Sequence, residues 1–181
     1  MRQLCAVYSR NGTLSLRHER AYTRSGWQTR RVPILPERNC SLLVRTDFTN
    51  DDAWQQVAGK ATGENEDGFR AYAEPVSDPA FDAASWETVK AAVPASSHGA
   101  SVLFIADSSS LSSPDHPILV VDLSDTYLSA AEFPEIVGRT PFRCIASELW
   151  SVDNNLNIAN MDWEDFAGSA GEDGVFRGFG L

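Results

Sequence analysis

Two apolar runs, Ala100–Ala106 and Ile118–Leu123, constrain the fold more than any other feature of the chain. Both have strand length and the continuous hydrophobicity of strands buried on two faces. Only about ten residues, most of them polar, separate them, too few for a parallel crossover, which needs a helix or a dozen or more residues. The two runs are therefore expected to pair antiparallel or to lie apart, and any sheet that contains them is mixed.

The remaining segments supply the other layers. Ser41–Phe48 reads as a buried strand, and Asn50-Asp51-Asp52 then provides a cap and negative charge for a helix start. A helix over Asp51–Ala61 puts Ala53, Trp54, Val57, Ala58 and Ala61 on one face. Gly63 to Gly68 is an acidic turn. Phe69–Val76 alternates Phe69, Ala71 and Ala73 with Arg70, Tyr72 and Glu74, the pattern of a half-exposed strand ended by Asp78-Pro79. Ser85–Val93 is a second amphipathic helix, with Trp86, Val89 and Val93 inward and Pro94 as its stop.

Ser108–Ser113 reads as a serine-rich loop and Phe142–Ala146 as a further strand. Asp162 caps a short helix to Ala170 that buries Trp163, Phe166, Ala167 and Ala170. Val175–Phe179 is a last short strand or a docked tail. The expected fold is α+β, a mixed α/β sandwich in which two or three amphipathic helices pack on a central mixed sheet.

Charge divides the chain into a basic extension, residues 1–37, and a body, residues 38–181. The extension carries seven arginines against Glu19 and Glu37, an excess of five positive charges, which leaves −15 on the body within a total of −10. Three readings of the extension stay open. Strand-like alternation on either side of Asn11-Gly12 marks a β-hairpin. The segment could instead be a flexible basic arm, or an organelle transit peptide, since it is rich in Arg, Ser and Thr and poor in acids. Val32-Pro33-Ile34-Leu35-Pro36 reads as a linker.

An acidic body disfavours nucleic acid and favours basic partners. No apolar run is long enough to span a membrane or to serve as a secretion signal. Cys5, Cys40 and Cys144 are too few and too scattered for a disulfide framework or a zinc site, which points to a reducing, cytoplasmic setting, with organelle targeting as the alternative.

Candidate chemistry is sparse. Asp47, Asp107 and Asp122 each close a strand, and carboxylates at strand ends can converge on Mg²⁺ in a hydrolase or phosphoryl-transfer enzyme. Convergence requires parallel strands, and Asp107 and Asp122 belong to the pair expected to run antiparallel. Aspartate also begins turns and caps helices without any catalytic role. Ser108–Ser110, His116 and Asp122 contain the residue types of a hydrolase triad but lack a nucleophile elbow. No phosphate-binding glycine motif is present, and no cofactor is expected.

The most distinctive stretch is Ser147–Gly178, in which Asn154, Asn155, Asn157 and Asn160 fall within seven residues. Such a cluster specifies an elaborate turn, here pinned by Leu149, Trp150, Leu156, Ile158 and Trp163. A turn of this kind uses its amides on its own backbone. Alternatively Glu148, Trp150, Asp153, Asn154, Asn155, Asn157, Asn160 and Asp162 form an acidic recognition patch for a basic protein.

The runs LLVRTDF, GFRAYAEPVSDP, VLFIAD, HPILVVDL and ELWSVDNNLNIANMDWEDFA resemble those of an uncharacterised bacterial domain family over Ser41 to Phe179. The resemblance implies a stand-alone domain and transfers no catalytic residues. Ser124–Val137 looks longer than the corresponding family segment. The function expected from all these features is non-enzymatic protein binding, as an acidic antidote or regulatory partner of a basic protein.

Overall fold

The computed structural model describes residues 33–96 and 99–180. The hairpin, arm or transit peptide expected at the start of the chain lies outside the described residues up to position 32, as do His18 and His98.

Six strands form one sheet in the order β2-β1-β3-β4-β5-β6: β1 Ser41–Arg45, β2 Ala73–Val76, β3 Val102–Ala106, β4 Pro117–Asp122, β5 Phe142–Ile145 and β6 Val175–Phe176. The two runs that constrained the fold are β3 and β4. They pair antiparallel, with Val102 opposite Asp122 and Ile105 opposite Leu119. β1 pairs parallel with β2 and β3, β4 antiparallel with β5, and β5 parallel with β6. The sheet is therefore mixed and the fold α+β.

Strand alternation divides the core in two. Leu43, Phe104, Ile118, Val120, Phe142 and Cys144 point to one face, where they meet α1 (Asp51–Thr62), α4 (Leu149–Asn157) and α5 (Trp163–Gly168). Leu42, Val44, Leu103, Ile105 and Val121 point to the other, where Val89 of α2 (Trp86–Ala91) and Phe81 cover them. Leu35, expected in a linker, is buried in this second core, and its N–H donates to the Ala92 carbonyl at 2.8 Å. An apolar side chain beside an open sheet face gains more by burial than the flanking prolines cost.

α1 is as expected: Ala53, Trp54, Val57, Ala58 and Ala61 are its buried face, and Asn50 caps it by accepting the Ala53 N–H at 3.0 Å. α5 has the expected Asp162 cap, with a reciprocal bond from the Asp162 N–H to Asp165. Two segments differ from expectation. Ser108–Ser112 is a short helix, α3, rather than a loop, because Asp107 accepts the N–H groups of Ser109 and Ser110 while Ser110 Oγ accepts the Asp107 N–H. The asparagine cluster lies mostly within helix α4 rather than in a turn. Leu149 and Val152, one turn apart, are buried in the core, with Leu156 packed against it, and that apolar row outweighs the local preference of asparagine.

Among the described residues no helix is long and apolar enough to cross a membrane.

Candidate functional site

The strand-end carboxylates do not assemble. Antiparallel pairing of β3 and β4 puts Asp107 and Asp122 at opposite ends of the sheet. Asp47 closes β1 at the same end as Asp107 but is occupied locally, accepting the Thr49 N–H at 2.8 Å and hydroxyl at 2.6 Å. Asp107 is a helix cap held by Arg143, whose Nη2 approaches its Oδ2 at 2.6 Å. Among the described residues no group of three His, Cys, Asp or Glu side chains is placed to hold a metal ion. The triad residue types stay apart as well. His116 occupies a turn with φ of 50° and contacts the backbone carbonyl of Ser110 through Nδ1 at 2.9 Å, while Ser110 Oγ donates to the Pro117 carbonyl.

The Asp107–Arg143 pair is expected to contribute to stability. Burial pushes the Asp107 carboxyl upward, but the bonds and charge of Arg143 outweigh this and hold it below the usual carboxylate range. Its stabilisation is thus present above the unfolded value of about 3.9 and is lost as the pH falls through the lower folded value. Asp107→Ala should cost about 2 kcal/mol at pH 7, from the lost cap and ion pair. In urea melts, the gap from wild type should close as the pH drops below about 4. A gap independent of pH would refute the ion-pair assignment.

The segment singled out in the sequence is built differently from a recognition loop. Asp153, 1 % exposed, faces inward. Its Oδ1 accepts Ser41 Oγ at 2.5 Å and Asn157 Nδ2 at 2.8 Å, and its Oδ2 accepts the Tyr72 N–H at 2.6 Å. Asn157 also accepts the Ser101 N–H at 2.7 Å. These two side chains tie α4 to the starts of β1 and β3 and to the segment before β2. Asn155 donates to the Ser151 carbonyl and accepts from Asn160, closing the end of the helix. Asp153, Asn155, Asn157 and Asn160 are therefore engaged in bonds within the fold. Glu148 sits at the other end of α4, half-buried against Gly178, and burial raises its carboxyl. Asp162 caps α5, on the far side of the α4 terminus.

What α4 does present is a strip that sequence reasoning missed. Trp150 stacks on Phe69 with ring centroids 4.9 Å apart and planes at 14°. One turn on, Asn154 Nδ2 donates to the Arg70 carbonyl, and Asp153 holds Tyr72. Phe69, Tyr72 and Ile158 are 50 %, 61 % and 73 % exposed. Tyr72 and Ile158 border a depression of about 350 Å³ that also touches Asn39, Cys40 and Asn154. Alternation had placed Phe69 inward with Ala71 and Ala73, and nothing in its local sequence marks it as exposed. The acidic turn Glu64-Asn65-Glu66-Asp67 leads into this strip. Asn65 fixes that turn by accepting the N–H groups of Asp67 and Phe69.

Trp150 is half-buried, so Trp150→Ala should cost only about 1–2 kcal/mol in urea unfolding, the value of one stacked pair and part of its apolar area. A loss as large as that of a fully buried tryptophan would place its ring in the core instead.

No curated protein matches the chain. A family model matches residues 40–179, which include every strand from β1 to β6, and the chain therefore belongs to the family described as a domain of unknown function (DUF6924).

Proposed function

We propose that this domain is a non-enzymatic protein-binding module, an acidic regulatory partner or antidote of a basic protein in a reducing, cytoplasmic setting. The observation that carries the reading is the strip of Phe69, Tyr72 and Ile158 with the Phe69–Trp150 stack behind it. Contiguous exposed apolar and aromatic side chains rimmed by polar groups characterise interaction surfaces, whereas scattered ones do not. Arg70 lies within the strip, its guanidinium 5.2 Å from the Tyr72 ring centroid, but Glu64, Glu66 and Asp67 outnumber it at the rim, in a body of charge −15. Such a rim steers basic proteins and repels acidic ones. Of the residues expected in a recognition patch, Trp150 and Asn154 border this surface, while Asp153, Asn155, Asn157 and Asn160 hold the helix that presents it.

The test compares wild type with a Phe69→Ser/Ile158→Ser variant of matched melting temperature, each immobilised in native lysate at low salt. Wild type should retain basic proteins that the variant loses and that about 1 M salt releases, where screening acts over about 3 Å. Equal retention by both baits, or none by either, would remove the basis for the reading.

A further inference from the structure

A second depression lies on the other side of the α4 terminus and takes no part in the strip. It is a cleft of about 320 Å³ enclosed by the end of β4, the start of α5 and the excursion Ser124–Val137, which makes two 3-10 turns, Ser124–Thr126 and Pro134–Ile136. That volume is at the lower end of the range for small-ligand sites, about 300–1,000 Å³. Its apolar walls include three aromatic rings. Tyr127 and Phe133, each more than a third exposed, line it with the buried Trp163, whose ring centroid is 6.0 Å from the Arg139 guanidinium, and with aliphatic side chains. Tyr127 is held by its hydroxyl, which donates to Ser101 Oγ at 3.1 Å.

The polar groups fix the sign of a ligand. Asp122, 6 % exposed, lines the cleft together with Glu135 and Asp162. The single cation among the lining residues is Arg139, and it is already committed. Its Nε and Nη2 donate to Glu164 at 3.1 and 3.3 Å, and its Nη1 reaches Asp122 Oδ2 at only 3.5 Å. Asp122 Oδ1 takes the Ser124 N–H and hydroxyl. Three carboxylates against one shared guanidinium leave the cleft negative, so an anion is repelled. Among the described residues no three such groups converge to cage a metal ion. What remains is a cation whose charge is met by scattered carboxylates and ring faces, and whose body fills an apolar space.

We propose that this cleft binds an organic ammonium on an apolar stem. The charge lies against Glu135, whose carboxylate has no ion pair among the described residues, and the stem lies against Tyr127 and Phe133 beside the Arg139-covered Trp163 ring. The same chemistry is offered by a free arylalkyl or alkyl amine and by a lysine side chain of another protein.

The full chain, ¹⁵N-labelled, is titrated at constant ionic strength with phenethylammonium, with the neutral phenethyl alcohol, with phenylpropionate and with a capped Ala-Lys-Ala peptide. Saturable shifts should centre on the Trp163 indole N–H and on amides of residues 124–136. The alcohol and the carboxylate should bind at least about tenfold more weakly than the ammonium, as expected for a partly desolvated charge contact. Tighter binding of phenethylammonium than of the peptide assigns the site to free amines, and the reverse order assigns it to a lysine of a partner. Asp122→Asn risks the fold, so the exposed residues carry the mutational test. Glu135→Gln and Phe133→Ala should each weaken phenethylammonium severalfold while leaving the melting temperature unchanged. Equal affinity for ammonium and alcohol, shifts centred elsewhere, or no saturation with any probe would overturn the proposal.

Discussion

Trp54→Ala should lower the stability of the domain by about 3–5 kcal/mol, the cost of deleting a fully enclosed aromatic side chain. Trp54 is buried on the inner face of α1, packed in the core with Leu43 and Val57. It also helps to cover an unusual neighbour. Arg45 closes β1 almost wholly buried, with Nε donating to the Asp47 carbonyl at 2.6 Å and Nη1 paired with Asp51 at 2.8 Å. Its guanidinium lies 4.3 Å from the Phe48 ring centroid and 5.8 Å from that of Trp54. Its Nη2 has no hydrogen-bond partner among the described residues. Removing the indole therefore loses apolar burial and a cation–π contact together. Water admitted to the orphaned nitrogen offsets part of that loss. Trp54→Phe keeps most of the ring area and should cost less than half as much. Urea unfolding at unchanged m-value measures both, and a midpoint close to wild type for Trp54→Ala would remove Trp54 from the core.

The second large effect is expected at Asp153. Asp153→Ala leaves the Ser41 hydroxyl and the Tyr72 N–H without an acceptor, while Asn157 Nδ2 keeps only its bond to Ser41 Oγ at 3.0 Å. Unsatisfied buried donors from several elements at once should cost about 3–5 kcal/mol. Asp153→Asn keeps the shape but sets an N–H₂ group or a carbonyl where the carboxylate took three bonds, so a smaller loss of about 1–2 kcal/mol is expected. The two variants also separate charge from shape. Burial raises the Asp153 carboxyl above its ordinary value despite the opposing bonds from Ser41, Tyr72 and Asn157. A raised folded value means that the stabilisation from this titration is complete below the unfolded value of about 3.9 and is lost as the pH rises through the folded one. Wild type should therefore gain on Asp153→Asn as the pH falls from 7 towards 4, the reverse of the trend expected for Asp107→Ala. A constant difference over that window would contradict a desolvated carboxylate at this position.

The sequence made the sheet and α1 legible because their signals are local and strong. A ten-residue spacer cannot hold a crossover helix, and Trp54, Val57, Ala58 and Ala61 recur at helical spacing after an asparagine cap. α3 and α4 were hidden by composition. Serines and asparagines favour turns, yet Asp107 caps the first helix, and Leu149, Val152 and Leu156 carry the period of the second. The family resemblance read from Ser41 onward agrees with the matched span of residues 40–179. The roles of the site residues could not be read from spacing at all. Asp153 meets Ser41 across 112 positions of sequence. Whether Phe69 points in or out depends on where α4 packs. The cleft beneath Tyr127 and Phe133 depends on an excursion with no hydrophobic period of its own.

The surface assignment is tested most directly by hydrogen exchange on the full chain, free and in complex with a basic protein captured by wild type. Added protection confined to residues 64–72 and 150–158 is the expected result. Protection centred on residues 124–137 instead, or spread over the face covered by α2, would contradict a partner surface along α4.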